Sequence, residues 1–273
     1  MRELEFIYKG CIAFGFTPTQ WKDTKVIFIP KPGKESYDKA KAFRPISLSN
    51  YLLKTLERLA GWKMKIALKD NPVHIRQHGF RNDRSTDTAI SDATSYIEEN
   101  ILNRKHVIGV SLDIQAAFDS ILPHQVKKEL LKHGGDKEMV NWHYNYLLHR
   151  NLFFNMLGCT KCISTSIGFP QGGVNSADFW KIAFDPALEI INEKNIRGNG
   201  FADDLLVLKG GYNLPAAMKA IQKTIDKLIK WGKEYGLTFN SEKTVVLVFT
   251  RRLIKNAPPN LIINEKRYLL VKL

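Results

Sequence analysis

Two adjacent aspartates stand inside an apolar stretch that reads Gly-Phe-Ala-Asp-Asp-Leu-Leu-Val-Leu, from Gly200 to Leu208. A second apolar run, Val107 to Leu112, ends on Asp113. Placing three carboxylates in such surroundings is costly unless a positive charge compensates them. A divalent metal is the simplest compensation, and metals held in this way typically serve phosphoryl or nucleotidyl transfer. The pattern therefore favours a fold that gathers these aspartates around metal ions.

Positive charge dominates the rest of the composition. The 273 residues include 41 Lys and Arg against 27 Asp and Glu, which gives a formal net charge of +14. Such an excess favours a polyanionic partner, nucleic acid before an acidic membrane, although a charge that serves only solubility is the alternative. Because no apolar stretch approaches the roughly 20 residues needed to span a bilayer, we expect no membrane partner.

The cysteines indicate the compartment. Three cysteines do not make a disulfide framework, which favours a reducing, intracellular location in the nucleus or the cytoplasm. Cys159 and Cys162 form a lone C-x-x-C, and no second Cys or Cys/His pair follows at a spacing that would complete a zinc site. The role of this pair and the oligomeric state stay open.

Apolar spacing and end signals divide the chain into helices and short strands. Helices are predicted over 50–68, 85–102, 123–133, 137–149, 176–193 and 213–235; strands over 26–29, 107–113 and 244–249; two short strands joined at the aspartates over 197–208; and a hairpin over 152–167. In the first helix, Leu53, Leu56 and Leu59 are predicted to share the buried face. Strands that alternate with helices but also form hairpins predict an α+β fold with a sheet covered by helices.

The aspartates suggest a chemistry if the fold brings them together. Asp113, Asp203 and Asp204 would then form an oxygen-rich cluster of the kind that Mg²⁺ or Mn²⁺ prefers. Two ions about 4 Å apart would activate a primer hydroxyl and stabilise a pyrophosphate leaving group. Without metal, crowded carboxylates should have raised pKa values. The competing interpretation of an Asp-Asp pair is a solvated turn.

Six motifs in one order resemble a known family. They are WKDTKVIFIPKPGK with FRPISLSNYLLKTLERL (21–59), QHGFRNDRSTDTA (77–89), SLDIQAAFDSI (111–121), GFPQGG (168–173), FADD (201–204) and GLTFNSEKT (236–244). Together they resemble the reverse transcriptases of non-LTR (LINE-type) retrotransposons. Two departures stand out: FADD replaces the commoner YADD, and VNSADFWKI after Gly173 lacks the usual Ser-Pro.

The resemblance implies the fingers and palm of a right-hand polymerase, with an antiparallel palm sheet covered by helices. It implies a fingers-like region over residues 1–105 and a palm over 106–250 that contains an inserted fingers segment. Residues 251–273 would begin the connection to a primer grip and thumb. The thumb itself is expected to be absent or truncated.

The resemblance also implies catalytic roles. Asp113, Asp203 and Asp204 would be the metal ligands, with the backbone carbonyl of Ile114 completing one metal's shell. Lys243 would protonate the leaving pyrophosphate as a general acid. A charged lysine at a strand edge is the competing interpretation of Lys243.

Other residues would meet the incoming nucleotide. Lys31 and Arg44 match basic residues that bind the triphosphate, and Phe118 matches an aromatic residue that clashes with a 2′-hydroxyl. Gln171 and Gly172 match a motif that contacts template and nucleotide. The alternatives are solvated charges, a core phenylalanine and a plain turn. A further set of basic residues could track template–primer phosphates, namely Arg76, Arg81, Arg84, Arg150, Arg251 and Arg252.

The function that follows is RNA-directed DNA polymerase, with an RNA template, a DNA primer, deoxynucleoside triphosphates and two Mg²⁺ or Mn²⁺ ions. One alternative is an RNA-dependent RNA polymerase-like enzyme, against which Phe118 and Ala202 argue. Another is an inactive retroelement remnant that only binds nucleic acid.

Overall fold

The computed structural model describes residues 2–156, 158–193, 196–254, 260–268 and 271–272. The chain divides into two compact units: unit 1 comprises Met1–Pro72 and Phe118–Ile182, and unit 2 comprises Val73–Ala117 and Ala183–Leu273. Each unit is thus built from two separate segments. The functional regions expected at 1–105, 106–250 and 251–273 stay predictions.

The elements follow each other in a mixed order. The helices are α1 (Arg2–Ala13), α2 (Thr19–Lys22), α3 (Tyr51–Asp70), α4 (Thr86–Leu102), α5 (Ala117–Ser120), α6 (Pro123–Lys132), α7 (Lys137–Leu147), α8 (Ser176–Ile190) and α9 (Leu214–Tyr235). The strands are β1 (Asp23–Pro30), β2 (Phe43–Leu48), β3 (His106–Gln115), β4 (Arg150–Met156), β5 (Cys159–Thr165), β6 (Arg197–Phe201), β7 (Asp204–Gly211), β8 (Thr238–Phe239), β9 (Val245–Phe249), β10 (Leu261–Ile263), β11 (Lys266–Tyr268) and β12 (Val271–Lys272). Within these ranges, no helix combines the length and apolar character needed to cross a lipid bilayer.

Unit 1 contains a four-stranded sheet in the order β2-β1-β4-β5. Strand β1 is antiparallel to β2 and parallel to β4, while β4 and β5 form the hairpin that the sequence predicts. The parallel contact joins Asp23–Lys25 to Asn151–Phe153, which are far apart in the chain. Such a pairing has no local signal, so the sequence reveals the hairpin but not the sheet.

Helix α3 forms much of the unit 1 core together with α7. Asn50 caps α3 by accepting a hydrogen bond from the backbone N–H of Leu52. Leu53 and Leu56 are buried, but Leu59 is 48% exposed, so its predicted place on the buried face is wrong. The buried stripe continues instead through Ala60, one residue later, which keeps the spacing of a helix face turned toward the core.

Unit 2 contains a six-stranded sheet with the main order β12-β9-β3-β7-β6, and β8 pairs with the end of β3. Strand β3 is antiparallel to both β7 and β9, whereas β12 is parallel to β9. Helices cover both faces at one end. A Cβ on Gly210 would meet Asn100 of α4, while one on the next residue, Gly211, would meet Ala217 of α9. Successive strand residues point to opposite faces, so α4 and α9 lie on opposite sides of the sheet.

The unit 2 helices begin and end at the residues that the sequence predicts. Ser85 accepts from the backbone N–H of Thr88 and completes a capping box at the start of α4. The Asn213 side chain caps α9, and Gly236 ends it in the left-handed region at φ 77°. These local signals explain why both helices could be predicted.

Candidate active site

Strand pairing in unit 2 brings the distant aspartates together. Strands β3 and β7 run antiparallel in a register that makes Asp113 and Asp204 direct cross-strand partners. Near the end of β3 the residues alternate, so that Leu112 and Ile114 are buried and Asp113 lies on the opposite, more open face. Directly opposite residues share a face, hence both carboxylates stand on that face.

Asp203 lies in the tight turn that joins β6 to β7. The register continues to the pair Phe201 and Asp204, which leaves only Ala202 and Asp203 between the strands. Ala202 has φ 55°, in the left-handed region that residues with a side chain adopt at a cost. The predicted pair of strands joined at the aspartates is therefore confirmed, and the turn conformation is one that neighbouring structure must hold.

Asp113 is engaged on both carboxylate oxygens by the segment before β9. Lys243 Nζ lies 2.9 Å from Asp113 Oδ1, and Asn240 Nδ2 donates to Asp113 Oδ2 at 3.2 Å. The backbone N–H of Asn240 also donates to the Asp113 carbonyl at 2.7 Å. The Lys243 side chain is 64% exposed and that of Asp113 is 18% exposed, so the pair is open to solvent on the lysine side.

The carboxylates perturb one another electrostatically. Partial desolvation and then the charges of Asp203 and Asp113 raise the pKa of Asp204, and Lys243 opposes them. The hydrogen bond to Asp113 raises the pKa of Lys243, against its partial desolvation, and the three aspartate charges add to the rise. Lys243 is therefore firmly protonated at neutral pH and neutralises part of the cluster.

The donor set suits a hard divalent cation by its chemistry, because carboxylate and carbonyl oxygens are the ligands that Mg²⁺ takes. Ile114 lies beside Asp113 and pairs with Phe239 of β8. In the part of the chain that the structure describes, no group of three or more His, Cys, Asp or Glu is arranged closely enough to hold a metal. Since Lys243 and Asn240 both contact the Asp113 carboxylate, a cation at Asp113 would compete with them for the same oxygens.

Unit 1 contains the residues that the sequence assigns to the incoming nucleotide. Gln171 Nε2 donates to both carboxylate oxygens of Asp119, at 3.2 and 3.1 Å, and the Gln171 carbonyl accepts from the backbone N–H of Ser47 at 2.7 Å. Gly172 has φ 102°, and a Cβ there would lie 3.0 Å from the Ser47 carbonyl oxygen. Gln171 and Gly172 thus dock onto strand β2.

The two basic candidates flank the β1–β2 pair. Arg44 is exposed on β2 opposite Ile29. Lys31 directly follows β1, and its Nζ donates to the Lys41 carbonyl at 3.1 Å. Arg44 therefore lies on the antiparallel pair of β1 and β2 in unit 1, and Lys31 lies at the end of that pair.

Phe118 packs among aromatic residues of unit 1 and is only partly buried. Its ring stacks on Trp180 at a centroid distance of 5.6 Å and meets Phe169 edge to face at 6.3 Å. These contacts fix its orientation. The role of Phe118 at the nucleotide stays a prediction.

Arg150 has a structural role that sequence reasoning missed. We expected it among exposed residues that track phosphates, but it is 3% exposed, so that expectation is wrong. Its guanidinium donates to the carbonyls of Leu147, Ile167 and Gly168, at 3.0, 2.6 and 2.8 Å. The planar fork of Arg150 thereby holds the start of the loop at 167–173, and no local sequence signal distinguishes it from a solvated arginine.

A buried polar group lies where this loop enters α8. Asn175 is 1% exposed, and its Nδ2 donates to the backbone carbonyl of Glu57 at 2.7 Å and meets His143 Nε2 at 3.2 Å. Glu57 itself is fully buried, and this burial raises the pKa of its carboxyl to about 7. The Ser176 hydroxyl donates to the Pro170 carbonyl at 2.8 Å and closes the loop.

The structure thus sorts the candidates into two groups. Unit 2 contains Asp113, Ile114, Asp203, Asp204 and Lys243, and unit 1 contains Lys31, Arg44, Phe118, Gln171 and Gly172. Asn240, which sequence reasoning missed, joins the first group through its two hydrogen bonds to Asp113.

Comparison with known proteins gives consistent matches. The family described as reverse transcriptase (RNA-dependent DNA polymerase) matches residues 29–266. The RNA-directed DNA polymerase from mobile element jockey of Drosophila melanogaster is 26% identical over 91% of this chain and 28% of its own length. The Pol polyprotein from the type-1 retrotransposable element R1 of Bradysia coprophila is 25% identical over 94% of this chain and 25% of its own length. The chain therefore spans only about a quarter of the length of these relatives.

Solved structures share the architecture. A telomerase of Candida tropicalis in complex with a TWJ fragment of telomeric RNA matches 95% of this chain and 45% of its own, with a TM-score of 0.60 and 15% identity. An apo telomerase of the same organism, truncated from its C-terminal domain, matches 93% of this chain and 56% of its own, with a TM-score of 0.59 and 16% identity. At this identity the likeness concerns the fold, and it confirms the predicted α+β polymerase palm.

Proposed function

We propose that this chain, which belongs to the reverse transcriptase (RNA-dependent DNA polymerase) family, adds deoxynucleotides to a primer 3′-hydroxyl by metal-assisted nucleotidyl transfer. The observation that carries the proposal is the cross-strand pair of Asp113 and Asp204, with Asp203 in the adjoining turn. Partial desolvation and the charges of Asp203 and Asp113 raise the pKa of Asp204, so this arrangement is costly without a further positive charge.

In this proposal Asp113, Asp203, Asp204 and the Ile114 carbonyl hold two Mg²⁺ or Mn²⁺ ions. When bound, the ions would activate the primer hydroxyl and neutralise charge on the transferred phosphate. The cross-strand pairing supports this assignment because it joins ligands from two strands of one sheet. The raised pKa of Asp204 supports this assignment as well. Neighbouring carboxylates repel one another without a cation, but all of them would attract a cation placed between them.

We assign two states to Lys243. With no cation at Asp113 it neutralises that carboxylate through the 2.9 Å ion pair. Were a cation to take the Asp113 oxygens, the protonated Lys243 would lose this partner and would be able to donate a proton to the leaving pyrophosphate. Its exposure of 64% supports this exchange, because an exposed side chain can move without disturbing the core.

The nucleotide contacts in unit 1 form a second part of the proposal. Arg44 and Lys31 would bind the triphosphate, Phe118 would exclude a 2′-hydroxyl, and Gln171 with Gly172 would line the nucleotide and template. The exposure of Arg44 and the partial exposure of Phe118 support these roles. We further propose an RNA template, a DNA primer and a location in the nucleus or the cytoplasm, in keeping with the net charge of +14.

Primer extension tests the proposal. The protein is supplied with a primed RNA template, Mg²⁺ or Mn²⁺ and either dNTPs or NTPs, and it is compared with the isosteric variant Asp203→Asn. We expect extension with dNTPs that the variant loses. The exposed Asp226→Asn on α9 is the matched control and should extend as the unsubstituted chain does.

Three results would contradict parts of the proposal. Equal extension by the unsubstituted chain and Asp203→Asn would refute the catalytic site. Preference for NTPs would refute the role of Phe118 and favour an RNA polymerase. Salt-sensitive binding of primed template without any extension would favour a protein that only binds nucleic acid.

A further inference from the structure

We infer that residues 76–79 form a brace that positions the turn bearing Asp203, with Gly79 as its critical residue. The inference rests on the proposed function, because it assigns positioning residues to the same site. It concerns residues within unit 2 only.

The brace is hydrogen-bonded to the strand that leads into the turn. The His78 N–H donates to the Gly200 carbonyl at 2.8 Å, and the Gly200 N–H donates to the Arg76 carbonyl at 3.0 Å. Gln77 and Gly200 accordingly form a parallel β-bridge. Gly200 stands two residues before Ala202, so the pairing fixes the main chain immediately before the turn.

Gly79 lies directly against the backbone of the turn. A Cβ at this position would come within 2.1 Å of the Ala202 nitrogen and 2.8 Å of its Cα. It would also lie 3.1 Å from the Phe201 carbonyl carbon. These atoms belong to the main chain, so they cannot rotate away as a side chain would. Gly79 is outside the left-handed region, hence this contact rather than φ is what demands glycine.

The brace is itself held in one conformation. The Gly79 N–H donates to Gln77 Oε1 at 3.0 Å, and Gln77 is fully buried. His78 Nδ1 lies 2.8 Å from the Thr88 hydroxyl in the first turn of α4. The brace is therefore held in a fixed position against the turn.

One carboxylate ties the brace and the strand to the same helix. Asp92 of α4 accepts hydrogen bonds from Arg76 of the brace, from Arg197 of β6 at 2.7 Å and from Asn199 of β6 at 3.3 Å. Arg76 belongs to the brace and Arg197 begins β6, so Asp92 links the brace to the far end of the strand that leads into the turn. A contact between Arg76 and template–primer phosphates stays a prediction.

The turn depends on such support. Ala202 adopts φ 55°, and a residue with a side chain stays in that conformation only where its neighbours require it. Asp203 follows Ala202 directly, so a change in this backbone moves a carboxylate. Movements of about 1 Å at a reacting centre can lower a rate about 100-fold.

The test compares Gly79→Ala with Gly10→Ala. Gly10 lies in α1 with open space around its Cα, so an added methyl meets no other atom there. Each variant is assayed for dNTP incorporation, for thermal unfolding and for Mn²⁺ affinity by electron paramagnetic resonance in the absence of nucleotide. For Gly79→Ala we expect kcat to fall about 100-fold with KM for dNTP within about twofold, and Mn²⁺ to bind about 10-fold more weakly.

A second variant covers the case in which Gly79→Ala fails to fold. Gln77→Met keeps the volume but removes the acceptor of the Gly79 N–H, and we expect kcat to fall about 10-fold at unchanged KM. Normal kcat and Mn²⁺ affinity in a folded Gly79→Ala, or normal values in Gln77→Met, would overturn the brace. Absence of extension by the unsubstituted chain would instead overturn the proposed function, which keeps the two failures distinguishable.

Discussion

The turn at Ala202–Asp203 in unit 2 carries a residue that we assign to catalysis, and the loop at 167–173 in unit 1 carries residues that we assign to nucleotide binding, but different interactions hold the two. Main-chain pairing positions the turn, because β6 and β7 are in register up to the residues that flank it. A buried side chain positions the loop, because Arg150 donates to the carbonyls of Ile167 and Gly168. Main-chain hydrogen bonds do not depend on the side chain, so most substitutions leave them in place. The hydrogen bonds of a guanidinium are lost on substitution, because no other side chain has its geometry.

The comparison separates residues whose replacement should change activity from residues whose replacement should change stability. The aspartates of unit 2 stand on an open face, so their replacement should change activity and leave the fold intact. The polar residues beneath the loop of unit 1 are buried, so their replacement should first lower the free energy of unfolding. Four substitutions test this difference.

Asp113→Asn should have the largest effect on activity. It removes a carboxylate charge but keeps the shape, and we expect primer extension to fall about 1,000-fold while the free energy of unfolding changes by less than about 1 kcal/mol. Single-nucleotide incorporation and urea unfolding measure the two quantities, with Asp226→Asn as the control. A parallel loss of stability would make the Asp113–Lys243 pair structural and break the comparison.

Arg150→Met should be the most destabilising change in unit 1. It leaves the carbonyls of Leu147, Ile167 and Gly168 without their donor, and we expect the free energy of unfolding to fall by about 3 kcal/mol. Arg44→Met, at an exposed strand position, is the matched control and should change it by less than about 0.5 kcal/mol. Equal effects of the two variants in denaturant unfolding would contradict the role of Arg150.

Glu57→Gln should change how stability depends on pH. Burial raises the pKa of Glu57 to about 7 from an ordinary value of 4.5, so the folded chain keeps a proton that the unfolded chain has lost. The free energy of unfolding should therefore fall by up to about 3 kcal/mol as the pH rises from about 4.5 to about 7. Above pH 7 this loss should be complete. Glu57→Gln should remove this fall, and the exposed Glu35→Gln should keep it. Identical pH profiles for the two variants would argue against a buried, protonated Glu57.

Gly172→Ala should have the smallest effect on stability among the three substitutions in unit 1. Gly172 and Gly33 both have positive φ, 102° and 71°, but a Cβ meets the Ser47 carbonyl at 3.0 Å only at Gly172. The free energy of unfolding should fall by about 1 kcal/mol in each alanine variant, because alanine is strained at positive φ. In Gly172→Ala it should fall by about 1 kcal/mol more, because the added methyl meets the Ser47 carbonyl. Thermal unfolding of the pair measures the difference, and equal losses would show that the docking of the loop on β2 contributes nothing.

Local signals explain what the sequence could predict. Helices α3 and α9 were found because Asn50, Asn213 and Gly236 mark their ends, and the hairpin of β4 and β5 because its strands are adjacent in the chain. The three aspartates were found because charge is conspicuous in apolar runs.

What escaped prediction depends on distant partners. Strand β2 contains Arg44 and Pro45 and has no clear alternation, so only its pairing with β1 defines it. The contact of Asn240 with Asp113 joins residues 127 positions apart, and the sequence around either residue gives no signal of it. Arg150 and Gly79 are ordinary in the sequence, and their roles arise from the carbonyls and the backbone that the fold places beside them.

The direct pairing of Asp113 with Asp204 also limits how the chain can change in length. A single residue inserted into β3 or β7 would turn the following side chains to the opposite face and separate the two carboxylates. Gly158 in unit 1 lies beyond Met156 and Cys159, the last register pair of the β4–β5 hairpin, so an insertion there shifts no cross-strand pair. Insertions and deletions should therefore be tolerated at Gly158 and eliminated from residues 107–113 and 204–211. Variation in chain length would then report on the proposed active site without reference to which residues stand there.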